Sequence, residues 1–65
     1  MFTTEEKREE VEKIINNIRT WLSMHGTGSK SPWPQHEIDI KTRRMKVMKV
    51  LRDYLTAAIE KRRAA

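Results

Sequence analysis

A helix-breaking segment in the middle of this 65-residue chain decides what it can fold into. Residues 26–36 read GTGSKSPWPQH, and two glycines, two serines and two prolines in eleven residues hold neither a helix nor a central strand. Pro32 and Pro34 also push Ser31 and Trp33 towards extended backbone, which makes the middle of this segment stiff. The sequence therefore predicts two regular elements joined by a loop.

The segment before the loop has the pattern of an amphipathic helix. Thr3 and Glu6 stand at the spacing of a capping box, in which the hydroxyl and the carboxylate satisfy first-turn N–H groups. The apolar side chains recur at steps of three and four residues: Val11, Ile14, Ile15, Ile18, Trp21 and Leu22. Gly26 suits the left-handed residue that often follows a helix. These signals predict a helix over residues 4–25.

The segment after the loop predicts a second helix, over residues 38–62, with Asp39 capping its start. Its apolar residues cluster on one helical face: Val47, Met48, Leu51, Tyr54, Leu55, Ala58 and Ile59. Two alternatives stay open at its beginning. The helix begins earlier, at Pro34, or residues 37–41 form a short extended piece, because polar and apolar side chains alternate there.

Two helices of roughly 33 Å joined by a loop indicate an all-α fold, an antiparallel hairpin that forms one domain over residues 1–65. The chain has no cysteine, so disulfides and thiolate metal sites cannot support its small core. A single hairpin buries each apolar stripe on one side only, and we expect a homodimer that forms a four-helix bundle. The residues expected at this or another partner interface are Trp21, Trp33, Met45, Val50 and Tyr54.

Charge is distributed unevenly along the chain, whose net charge is +5. Residues 1–25 hold four Lys and Arg against five acids, whereas residues 26–65 hold ten against four. The densest part, called the basic cluster here, contains no acid between its ends: Lys41, Arg43, Arg44, Lys46, Lys49 and Arg52. An antiparallel hairpin lays this cluster beside residues 16–25, which contain no acid, so we expect it to lack a counter-charge.

An uncompensated basic patch on a helix is typical of phosphate binding. The first hypothesis is therefore a regulatory protein that binds nucleic acid through the basic cluster and Lys30. Two interpretations stay open beside it. In the first, the charges keep the protein soluble or pair with a second copy of the chain. In the second, they bind an acidic protein partner together with Trp33.

Other candidate chemistry is weaker. The stretch from Gly26 to Ser31 differs from a phosphate-binding loop because Ser29 precedes Lys30, so it is interpreted as a flexible connector. Trp33 is either a lid on the end of the core or an exposed anchor that docks a partner or stacks on a base.

No enzymatic site is expected. His25 and His36 lack neighbours at metal-ligand spacing, and no nucleophile, base and orienting group can be assembled. The sequence therefore predicts a non-enzymatic protein with no metal, no cofactor and no small-molecule substrate.

No apolar run approaches the roughly 18 to 20 residues that span a bilayer, and no cationic start leads into a secretory segment. We expect a cytoplasmic protein with no membrane partner. Residues 41–55 also have the composition of a membrane-surface helix, but the first helix needs their apolar face. The size and charge are typical of small accessory proteins of phages and plasmids.

Overall fold

Two helices packed against each other form the whole fold. The computed structural model describes residues 1–64, with α1 at Thr4–His25 and α2 at Gln35–Ala64, and these residues form no strand. Arg62 lies against Thr4 and Arg52 against Glu12, so the helices run antiparallel. The result is a rod of 48 × 18 × 16 Å. The predicted all-α, two-helix fold is confirmed.

Helix α1 has the predicted bounds, and the Thr3 half of the predicted capping box is confirmed. The hydroxyl of Thr3 accepts a hydrogen bond from the Glu6 N–H at 3.1 Å. The prediction of a left-handed Gly26 is wrong, because this residue is extended and its N–H donates to the Leu22 carbonyl at 2.8 Å. A Cβ at position 26 would collide with that carbonyl oxygen, so glycine is required there for space. Gly28 is the residue with a positive φ, of 82°.

Helix α2 begins three residues before its predicted start. The Pro34 carbonyl accepts the first helical hydrogen bonds, from the N–H groups of Glu37 and Ile38 at 3.0 and 3.2 Å. The earlier-start alternative is therefore confirmed, and both the extended piece over 37–41 and the Asp39 cap are wrong. Gln35 donates its side-chain amide to Asp39 at 2.9 Å, one helical turn away. The fixed φ of Pro34 and the anionic Glu37 in the first turn both favour this early start.

The core is one narrow line of side chains between the helices. Within residues 1–64 the buried hydrophobic residues are Val11, Ile15, Ile18, Ile38 and Ile59. Ile15, from the middle of α1, is the one large side chain among them with no exposed surface. Because so few side chains are fully enclosed, the hairpin has little apolar burial to offset the entropy of folding.

The face of α2 that meets α1 differs from the predicted apolar stripe. Val47 is 53% exposed and Tyr54 is 72% exposed, so the centre of that prediction is wrong. The line of contact between the two helices is called the seam here. The positions of α2 at its centre recur at heptad spacing and are buried or half-buried: Ile38, Met45, Arg52 and Ile59. Of the predicted stripe, Ile59 is buried and Met48 and Leu55 are half-buried. The apolar arc of α2 is wider than one helix can cover, and part of it faces solvent.

Neither helix, within residues 1–64, has an apolar stretch long enough to cross a membrane.

Truncation of Ile15 tests whether the narrow seam holds the hairpin together. We expect Ile15→Ala to lower the free energy of unfolding by about 2–5 kcal/mol, because it removes a fully buried side chain. The measurement is urea denaturation followed by circular dichroism. Ile40→Ala, the same truncation at a half-exposed position, should change it by less than about 0.5 kcal/mol. Equal losses in the two variants would contradict this description of the core.

Candidate nucleic-acid interface

The net charge of the hairpin is concentrated at one of its two ends. The loop-proximal half, residues 16–49, holds seven Lys and Arg side chains against Glu37 and Asp39, a net charge of +5. The terminal half, residues 1–15 and 50–64, holds seven Lys and Arg against seven acids and is neutral. The entire net charge of the protein therefore lies in the half that carries the loop.

The terminal half balances its charges through contacts between and within the helices. Arg62 lies 3.6 Å from the Glu5 carboxylate, and Lys13 lies 3.2 Å from that of Glu10. Arg8 donates to the Thr56 hydroxyl at 2.8 Å. The antiparallel arrangement produces this pairing, because it brings the acidic start of α1 beside the basic end of α2.

The loop-proximal half has no such pairing between the helices. Arg43, Arg44 and Lys46 are exposed on α2, and none has a carboxylate within 4 Å among residues 1–64. Lys30 is exposed in the loop, and Lys49 is half-buried beside the seam. The structure thus brings six of the seven predicted binding residues to one end of the molecule, these five and Lys41.

The two acids in this half already have partners. Glu37 lies 3.5 Å from the imidazole of His36, and Asp39 accepts the amide of Gln35 at 2.9 Å. Glu37 stands in the first turn of α2, where the helix dipole also favours it. Within residues 1–64 neither carboxylate lies within 4 Å of a Lys or Arg side chain, so neither forms an ion pair with the basic residues further along the helix.

Arg52 corrects the prediction that the whole basic cluster lacks a counter-charge. Its side chain is 27% exposed, with Nε 3.6 Å from Glu12 and 3.3 Å from Asp53. Glu12 lies just before residues 16–25, the segment expected to face the cluster, which is why the pair was missed. Arg52 belongs to the seam and to the terminal half.

Lys41 makes a different contact, a cation–π interaction. Its ammonium nitrogen lies 5.4 Å from the ring centroid of Trp21, within the range of favourable cation–π contacts. The side chain is half-buried, so the charge lies at the edge of the basic surface.

The basic residues surround α2 and do not share one outer face. With 3.6 residues per turn, Arg44 and Lys46 lie on opposite flanks of the seam, about 100° to either side of Met45. Lys49 lies nearer the seam on the Lys46 side, and Arg43 points away from the seam. Lys46 is exposed, whereas Lys49 and Arg52 are half-buried. Such a surface suits contacts to a flexible or curved phosphate backbone better than docking on one flat side.

Three rings close the loop end of the hairpin, and they are called the aromatic cluster here: Trp21, His25 and Trp33. Trp33 meets Trp21 edge-on with ring centroids 5.5 Å apart. The backbone N–H of Trp33 donates to the His25 carbonyl at 2.9 Å. The His25 Nδ1 lies 3.4 Å from the Ser31 carbonyl oxygen across the loop. These contacts hold the loop against α1.

Trp33 satisfies parts of both interpretations of its role. It packs on the end of α1 as a lid, yet 47% of its surface stays exposed beside the basic residues. Trp21 and His25 stand four residues apart, and side chains at this spacing are neighbours on a helix. Their ring contact is therefore predictable from the sequence. The contact of Lys41 with Trp21 joins two helices, so only the register of the hairpin reveals it.

The residues predicted for a partner interface do not form one surface. Val50 is 70% exposed and Tyr54 lies near it on the outer side of α2. Met45 is half-buried in the seam, and Trp21 and Trp33 belong to the aromatic cluster. No group of three or more His, Asp or Glu side chains converges anywhere in residues 1–64.

No protein-family model, no curated protein and no solved structure matches the chain significantly.

Removal of the Trp33 ring tests its role as a lid. We expect Trp33→Ala to lower the free energy of unfolding by about 2 kcal/mol, roughly half of the loss for a fully buried tryptophan. Trp33→Phe keeps an aromatic ring against Trp21 and should lose clearly less. Urea denaturation followed by far-ultraviolet circular dichroism measures both variants. Unchanged stability of Trp33→Ala would mean that the ring does not hold the loop.

Proposed function

We propose that this protein binds nucleic acid through the loop-proximal half of the hairpin. The observation that carries the proposal is the separation of charge, which leaves a net +5 at one end and none at the other. The binding residues are Lys30, Arg43, Arg44, Lys46 and Lys49, with Lys41 at their edge. A concentrated positive potential of this kind attracts a polyanion and speeds its association.

The proposed contacts are to the phosphate backbone. Lysine and arginine on an exposed helix neutralise phosphates and release condensed cations, which supplies affinity without reading the sequence. We therefore propose limited base specificity. Five such contacts correspond to a loss of affinity of about 500-fold between roughly 50 and 200 mM salt on duplex DNA.

Self-association and a cytoplasmic location are parts of the same proposal. Two hairpins would join as a four-helix bundle, which would enlarge a core that now buries five side chains within residues 1–64. The cytoplasmic location is retained because a protein that binds nucleic acid must share its compartment. We also propose a regulatory role, without catalysis.

An acidic protein partner is the second candidate function. The exposed side chains of Trp33, Val50 and Tyr54 support it, because large apolar groups beside basic residues are common in protein interfaces. The material that copurifies with the protein separates the two candidates. Nucleic acid raises the ultraviolet absorbance ratio of the preparation, whereas a protein partner gives one additional stoichiometric band.

Charge reversal at the loop-proximal end tests the nucleic-acid proposal. Arg43→Glu/Lys46→Glu replaces two exposed cations that have no ion pair, so the hairpin should keep its helicity. We expect affinity for a labelled duplex to fall about a hundredfold at low salt, and the log–log salt slope to fall by roughly 1.8. Fluorescence anisotropy measures both quantities.

The matched control reverses two cations at the other end. Lys61→Glu/Arg63→Glu changes the net charge equally, at exposed positions of the terminal half. It should weaken binding far less. Equal weakening in both double variants would mean that only net charge matters, and no binding by the unmodified protein at low salt would refute the proposal.

A further inference from the structure

One side of the hairpin carries an apolar groove between α1 and α2. Its terminal end is a depression of about 670 Å³ with these apolar side chains in its walls: Phe2, Val11, Leu51 and Leu55. Its loop end is a second depression, of about 290 Å³, with these apolar side chains: Ile14, Ile18 and Trp21. Phe2 is largely exposed, and Ile14 and Leu51 are each partly exposed, so solvent covers much of the groove.

The two depressions follow each other along the same side of the molecule. On α1 their walls include Glu10, Ile14 and Trp21, which are four and seven residues apart and so share a helical face. On α2 Arg44 and Leu51 are seven residues apart and share a face in the same way. Together they form one continuous strip from the termini to the loop.

The groove carries opposite charges at its two ends. Around the terminal depression stand Glu6, Glu9 and Glu10 with one cation, Lys7, a net charge of −2. The loop depression is bordered by two cations and no acid: Lys41 and Arg44. From the termini to the loop, the strip is therefore first acidic, then apolar and finally basic.

We propose that a second copy of this chain binds this groove in antiparallel orientation, about a two-fold axis near Ile14 and Leu51. An isologous interface must be complementary to itself, and a strip that is acidic at one end and basic at the other meets that condition when two copies run in opposite directions. At 1.5 Å per residue, Glu6 and Glu10 lie about 12 and 6 Å from Ile14.

The register of these charges agrees with the two-fold axis. Arg44 lies about 10 Å from Leu51 along α2, towards the loop, a distance between those of the two glutamates on the other side. The axis therefore brings Arg44 of each copy to the level of Glu6 and Glu10 of the other copy. In a parallel arrangement Arg44 would face its own equivalent and the glutamates would face theirs.

The size of the face is sufficient for a stable dimer. A rod face of 48 by 18 Å spans about 860 Å², and a standard interface buries roughly 800 Å² on each partner. The apolar side chains of the groove would become the second layer of a four-helix bundle. The hairpin alone encloses one large side chain, Ile15, within residues 1–64, so this added burial compensates for a small core.

This inference rests on the self-association in the proposed function and specifies its geometry. It is compatible with nucleic-acid binding, because Arg43 and Lys46 lie outside the groove and would remain exposed in the dimer. Lys41 and Arg44 are the residues that the two proposals share. Measurement of assembly in the absence of nucleic acid therefore separates the failure of one proposal from the failure of the other.

The experiment is sedimentation equilibrium of the full chain and of charge-reversed variants. Arg44→Glu places a glutamate against Glu6 and Glu10 of the other copy, and we expect dimerisation about tenfold weaker. Glu6→Lys/Glu10→Lys places lysines against Arg44 and should weaken dimerisation to a similar degree. All the replaced residues are exposed, so circular dichroism should show unchanged helicity.

Mixing the two variants is the decisive step. In a mixed dimer the glutamate at position 44 of one chain meets the lysines of the other, and both ends of the interface are again complementary. The mixture should therefore dimerise at least as tightly as the unmodified chain, although each variant alone does not. Lys46→Glu, with the same charge change outside the groove, is the matched control and should weaken dimerisation less than twofold.

Three results would overturn the inference. A monomer at all concentrations of the unmodified chain would remove self-association altogether. Variants that dimerise like the unmodified chain, singly and mixed, would remove the antiparallel groove while leaving self-association intact. Equal weakening by Lys46→Glu and Arg44→Glu would assign the effect to net charge.

Discussion

The seam between α1 and α2 is the contact on which the rest of the structure depends. Five buried side chains lie along it within residues 1–64, and the Glu12–Arg52 ion pair joins the helices at mid-length. A seam this narrow orders both helices but encloses little apolar surface, so the hairpin is at the lower limit of what one core stabilises. The same seam sets the register that decides which charges meet.

Antiparallel register produces the charge asymmetry of the molecule. It places the acidic start of α1 beside the basic end of α2, where Glu5 and Arg62 neutralise each other. The remaining basic residues of α2 then lie beside the second half of α1, which has no acid to offer. The aromatic cluster closes this end and holds the loop close to the exposed cations. Charge balance at one end and excess at the other thus have a single geometric cause.

The elements of the fold were largely predictable because their signals are local. The Thr3 cap, the apolar period of α1 and the loop composition depend on residues close in sequence, and they predicted α1 with its observed bounds. The start of α2 was misplaced by three residues because the alternation over 37–41 competes with Pro34, whose fixed φ favours a helical first turn.

The face of α2 and the partners of its charges were not predictable in the same way. This helix carries apolar residues over more of its circumference than α1 covers, so its own pattern does not select which part is buried. The choice depends on contacts with α1, such as Arg52 with Glu12 and Arg8 with Thr56. The members of the basic cluster can be named from the sequence alone. The separation of Arg52 from the other members depends on the register of the two helices, which the sequence does not show.

Nuclear magnetic resonance of the nitrogen-labelled protein, titrated with a short nucleic acid at low salt, tests the central claim most directly. Charge separation predicts amide shift changes concentrated at the loop and the first half of α2, from about residue 28 to 49, with the terminal half almost unchanged. Shift changes spread evenly over both halves, or no changes at all, would contradict the claim that the unpaired charge at the loop end forms the binding surface.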